Sequence, residues 1–146
     1  CGRQALLDRL FEVLLIQLIR QLMEKGGAQI GLLAGLAHPQ LRQAIVAMHE
    51  APEKDWSVES LAAQAGMSRS AFSNQFRETI GETPASYLQR WRIGLVQKWL
   101  KSGQPLKLIV EEAGYSSESA LSRAFKSQCG CSPTEWLKQE RSTQYN

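Results

Sequence analysis

Two sets of short polar and cationic side chains recur at helical spacing in this sequence. Ser70, Ser73, Asn74 and Arg77 fall at i, i+3, i+4 and i+7, and Ser119, Ser122, Arg123 and Lys126 repeat the pattern. Each set therefore occupies one face of a helix. Both faces lack acidic residues apart from the flanking Glu118, and both end on a cation. Arg pairs with guanine and Asn with adenine by two hydrogen bonds each, and hydroxyls and cations hold phosphates. On a single amphipathic helix such a face is ordinarily a solvated surface. Its duplication favours recognition of a polyanion.

Nucleophilic and metal chemistry have few candidates. The sequence holds only Cys1, Cys129, Cys131, His38 and His49 for such roles. Their spacing matches no zinc site, and no Ser-His or Cys-His arrangement is visible. The expectation is a chain that is not an enzyme, with no metal and no cofactor. Three cysteines outside any framework spacing suit a reducing, cytoplasmic setting.

The two polar faces belong to an internal repeat. LAAQAGMS, Leu61 to Ser68, aligns with IVEEAGYS, Ile109 to Ser116, at an offset of 48. After one inserted residue in the second copy, FSNQFRETIGETPASYL, Phe72 to Leu88, aligns with LSRAFKSQCGCSPTEWL, Leu121 to Leu137, at an offset of 49. Phe76 meets Phe125, Gly81 meets Gly130, Pro84 meets Pro133 and Tyr87 meets Trp136.

Each copy begins with a short apolar-patterned helix, Val58 to Ala65 or Leu106 to Ala113, that ends on a glycine able to turn left-handed. Two residues later, Ser68 or Ser116 is placed to cap the next helix. Helix, glycine turn and capped helix make a helix-turn-helix unit. In the second helix Phe72, Phe76 and Ile80 form a buried stripe, answered by Leu121, Phe125 and Cys129. A continuous helix from about Ala85 to Lys101 is expected between the copies, roughly 25 Å long at about 1.5 Å per residue. It would hold two readers on one face of DNA. Arg90, Arg92 and Lys98 on it are placed to reach phosphates, with a solvated surface position the equal alternative for each.

Upstream, apolar residues at Leu7, Leu10, Phe11, Leu14, Leu18 and Leu22 predict an amphipathic helix over Leu6 to Met23, stopped by Gly26-Gly27. Residues 26–39 read as a short helix or loop, and a further helix runs from Pro39 to Glu50. Gln17, Arg20 and Gln21 break the most apolar stretch, so no membrane span is expected. The chain opens on Cys1-Gly2-Arg3 without an initiator Met or a secretory pattern, and reads as a piece of a longer protein. Of 17 basic and 14 acidic residues, six and six fall within the first 55 positions. The whole excess lies in the repeated part, a mild surplus compatible with nucleic acid.

GYSSESALSRAFKSQCGCSP, Gly114 to Pro133, is similar to the C-terminal signature of the AraC/XylS-type bacterial transcription regulators, and LAAQAGMSRSAFSNQFRETIGETP resembles their first helix-turn-helix. The likeness runs from about Pro39 to Leu137. It implies an all-α, seven-helix unit of two helix-turn-helix lobes joined by a long central helix, which the amphipathic helix read from the apolar spacing precedes. It also implies a sequence-specific regulator that inserts two recognition helices into successive major grooves of double-stranded DNA. Carried over by position, the base-reading residues are Ser70, Ser73, Asn74, Glu118, Ser119 and Arg123, with Arg69, Arg77, Ser122 and Lys126 on phosphates. Val110 departs from the pattern, standing where the first copy has Ala62, which predicts a wider helix crossing in the second lobe.

GLLAGLAHPQLRQAIVAMHEAP resembles the link between a cupin-type sensor and the DNA-binding unit in one branch of that family. Residues 1–38 are then a helical remnant and linker of an N-terminal sensor domain, and residues 39–146 the double helix-turn-helix domain. Contact with RNA polymerase or a σ factor is implied by the family. A homodimer through residues 5–25 is expected from the leucine stripe, whose near-heptad steps suit a two-helix seam; packing of that helix back on the lobes is the alternative.

Overall fold

The computed structural model describes residues 2–24 and 27–145, with side chains placed for 2–21 and 31–145. Cys1 and the Gly26 helix stop lie outside the described residues, as does the Leu22 side chain. The described residues form nine helices: α1 (Gly2–Glu24), α2 (Gly27–Ala37), α3 (Pro39–Glu50), α4 (Val58–Ala65), α5 (Arg69–Ile80), α6 (Pro84–Lys101), α7 (Leu106–Ala113), α8 (Glu118–Cys129) and α9 (Pro133–Gln144). None is long and apolar enough to cross a membrane.

Local chemistry explains most of the boundaries. Ser57 and Ser60 form a reciprocal capping box at the start of α4, and Ser132 and Glu135 do the same for α9. Thr83 caps α6 immediately before Pro84, whose missing amide costs nothing in a first turn. The glycines after α4 and α7 are left-handed, with φ of 68° at Gly66 and 84° at Gly114. The helix forecast from Pro39 to Glu50 is present, and residues 27–37 are helix.

One boundary differs from the sequence reading. Ser68 caps α5 as expected, its side chain accepting from the Ala71 amide. In the second copy the cap is Ser117, accepting from Ala120, and Ser116 lies in the turn. The single inserted residue is therefore spent between Gly114 and the cap, lengthening the second turn by one position.

Two apolar cores result. The first is built by α3, α4, α5 and the beginning of α6, with Leu41, Ile45, Met48, Phe72 and Phe76 fully enclosed. The second is built by the rest of α6 with α7 and α8, around Val96, Ile109, Leu121 and Phe125. Burial of each large side chain is worth about 1.5–3 kcal/mol. α6 thus belongs to both lobes: Tyr87 and Leu88 enter the first core, and Ile93, Val96 and Leu100 the second.

α2 packs on the first lobe, with Leu32 and Leu36 against that core. Gly31 and Gly35, four apart on one helical face, permit the approach. A Cβ at Gly31 would run into the Ile80 carbonyl, and one at Gly35 would lie 2.7 Å from Ile45 Cδ1. The expected division at 38/39 falls between two helices that both pack on this lobe.

α1 is different. All its side chains from Gly2 to Gln21 are exposed, including Phe11 at 66% and Leu14 at 68%. The expected stripe is present, but Leu6 and Val13 extend the apolar surface on one side and Leu15 and Ile19 on the other. Over residues 2–21 the helix does not pack back on the lobes.

Candidate nucleic-acid interface

The caps and stripes of α5 and α8 decide which way their side chains point. Phe72, Phe76 and Ile80 anchor α5 in the first core, and Leu121 and Phe125 anchor α8 in the second. The opposite faces remain open to solvent: Ser70, Asn74 and Arg77 on α5, and Glu118, Ser119, Arg123 and Lys126 on α8. Ser73 and Ser122 are half-buried at the margins of these faces. The structure brings the ten site residues into two groups, one per lobe, as the repeat requires.

Few of these side chains are committed to contacts within the protein. Arg69 pairs with Glu59 at 2.8 Å, and both groups are exposed. An exposed pair of this kind contributes about 0–1 kcal/mol, so Glu59 holds Arg69 only weakly. Arg123 Nε donates to the Ser119 carbonyl at a long 3.4 Å, laying the guanidinium along the helix. Glu118 occupies the first turn of α8, where its charge suits the helix dipole.

Two of the three connector cations have partners within the protein. Arg90 is bound to Glu82, which also accepts from the Ser86 hydroxyl at 3.0 Å. Arg92 points inward: its Nε donates to the Pro52 carbonyl and its Nη2 to the Lys54 carbonyl, both at 2.8 Å. Two of its five N–H donors are thereby engaged by the backbone of the α3–α4 loop. Lys98 is exposed.

Sequence reasoning missed a polar cluster that joins α3 to α6. His49 Nε2 and the Tyr87 hydroxyl are hydrogen-bonded at 2.6 Å, and the His49 ring stacks on Trp91. Burial lowers the pKa of His49 and pushes Tyr87 up to about 12. The partners are 38 residues apart or more, beyond the reach of local spacing. Cys129 and Cys131 are free thiols, and Gln97 Nε2 donates to Cys129 Sγ at 3.2 Å.

Comparison with known proteins agrees with this arrangement. Residues 61–139 match the family described as "Helix-turn-helix domain". The chain is 41% identical over 139 residues to the HTH-type transcriptional regulator AlkR of Acinetobacter baylyi, covering 94% of this chain and 45% of that protein. It is also 41% identical over 133 residues to a putative AraC-like transcription regulator of Streptomyces antibioticus, covering 90% and 44%. The chain belongs to the AraC-type helix-turn-helix family. Among solved structures of that type, the DNA-binding domain of AdpA in complex with a target DNA superimposes with a TM-score of 0.66 at 29% identity, covering 74% of this chain and 97% of that one. The AraC-type unit is a DNA-binding domain, with two helix-turn-helix motifs in an all-helical fold. The chain spans about half the length of the curated relatives it matches.

Proposed function

We propose that this chain is the DNA-reading part of a longer transcription regulator, with α5 and α8 entering successive major grooves. The observation that carries the reading is the pair of capped helices whose outward faces hold short polar groups and cations, mounted on one shared helix. At about 1.5 Å per residue α6 is roughly 27 Å long, which with the offsets of the lobes suits the ~34 Å between major-groove turns. Ser70, Ser73 and Asn74 read bases in one groove and Glu118, Ser119 and Arg123 in the next. Arg69, Arg77, Ser122 and Lys126 hold the phosphates between them. Selection from random duplexes tests this reading: two short conserved blocks about one turn apart are the expected result, and a single block or none refutes it.

The chain acts by binding and carries out no reaction of its own, in the cytoplasm, where the nucleoid and RNA polymerase or its σ factor are its partners. This reading is supported by relatives named as transcription regulators. α1 is the remnant of the sensor side, and α2 serves as the linker's attachment to the first lobe. A helix whose apolar surface spreads beyond a single stripe is one that is covered on more than one side in its working state. The α1 stripe of Leu7, Leu10, Phe11, Leu14 and Leu18 pairs with the same helix of a second copy, while its flanks face the rest of the longer protein.

A further inference from the structure

We propose that Arg92 sets the spacing between the two DNA half-sites that this chain accepts, by strapping the α3–α4 loop to the second lobe. Along α6, the first core ends at Leu88 and the second begins at Ile93. Between them lie Gln89, Arg90, Trp91 and Arg92, the segment about which two lobes sharing a single helix would rock. Arg92 closes that joint. Its fork grips the carbonyls of Pro52 and Lys54, in the loop that leaves α3 of the first lobe. Its guanidinium carbon also lies 5.9 Å from the ring centroid of Tyr115, the second residue after α7 of the second lobe.

The backbone reinforces the strap. A Cβ on Gly114 would sit 2.8 Å from Glu53 Cα and 2.9 Å from the Pro52 carbonyl oxygen, so the loop rests directly on the second lobe's turn. Trp56 Nε1 donates to the Ala51 carbonyl at 2.8 Å and holds the loop's own shape. A planar fork is what meets two carbonyls at once; an ammonium is a point donor without that geometry.

Each base pair carries a reading site about 3.4 Å along the duplex and roughly a tenth of a turn around it. A locked pair of lobes therefore fits one separation, whereas a rocking pair fits several. Arg92 is a positioning residue, acting through the loop and touching no DNA.

The test rests on the DNA-binding reading and uses the full chain with its selected duplex, then duplexes with one or two base pairs added to or removed from the spacer. The wild type should lose about tenfold or more in affinity at each altered spacing. Arg92→Met should hold all spacings within about threefold while keeping the same base preference inside each block. Tyr115→Leu should broaden the spacing profile less. Where Arg92→Met does not fold, judged by thermal melting, Arg92→Lys is read in the same assay and must broaden the profile. An unchanged profile, or an equal loss at every spacing, overturns the proposal. A wild type that binds duplex without spacing preference overturns it too, whereas a wild type that binds no duplex overturns the DNA-binding reading itself.

Discussion

The imidazole of His49 lies parallel to the indole of Trp91, with ring centroids 3.7 Å apart and planes 13° apart. Burial of the ring disfavours its protonated form and holds its pKa below the ordinary 6.5. The unfolded chain therefore binds the proton more readily, so stability present at neutral pH is lost as pH falls through the ordinary value towards the folded one. Attraction of an imidazolium to the indole face opposes this, and desolvation is expected to win. Thermal melts between about pH 5 and pH 8 should show a falling midpoint on the acid side, flattened in His49→Phe. A midpoint that rises on acidification would mean that the cation–π attraction dominates.

Arg123→Ala should cost about 1–3 kcal/mol in binding and relax base preference at one position. Asn74→Ala should relax a different position, about one turn of DNA away. Selection from random duplexes with each variant measures both effects. An unaltered consensus in both variants would show that these faces do not read bases.

Binding should weaken steeply with salt, since phosphate contacts release condensed counterions. Arg77→Ala and Lys126→Ala should each lower the slope of log K against log salt by about 1, with little change in sequence preference. Titrations across a range of salt concentrations would reveal a different role if the slope stayed at the wild-type value.

Gly31→Ala should destabilise the fold by about 1–3 kcal/mol, because its Cβ meets the Ile80 carbonyl and α2 must shift to admit it. Gly94, in the middle of α6, has nothing within 4 Å of an added Cβ. Gly94→Ala should therefore leave stability unchanged or raise it by up to about 1 kcal/mol. Denaturant midpoints of the two variants separate close helix packing from loss of glycine freedom.

Leu14→Arg should abolish self-association without lowering the affinity of the lobes for a single duplex site. The substitution places a charge in the middle of the α1 stripe, where Leu14 is 68% exposed in the single chain. Sedimentation at micromolar concentration is the measurement, and a wild type that sediments as a monomer would refute pairing through this helix.

The legible parts of the fold were those governed by local rules. The offset repeat announced both motifs, and Phe72, Phe76 and Ile80 announced which side of α5 is buried. Ser117 escaped because two serines stand side by side and the inserted residue could precede or follow the cap. Arg92 escaped for another reason: its partners Pro52 and Lys54 are about 40 residues away, and a cation on a helix surface has no spacing that separates a strap from a phosphate contact. The packing of α2 had a readable cue in Gly31 and Gly35, which lie four apart and bare one helical face. Their partner, the end of α5, had none.

The shifted cap in the second motif bears on how these readers could be exchanged. From the cap onward the two copies run in step, Ser68 through Pro84 against Ser117 through Pro133, and the one-residue difference lies wholly upstream in the turn. A graft that takes its cut just before the capping serine transfers a recognition helix, its left-handed stop and the following proline as one cassette of equal length. A cut at the preceding glycine carries the longer turn into the wrong lobe. Each lobe's own turn, rather than the helix inserted into it, would then decide how the transplanted face is presented.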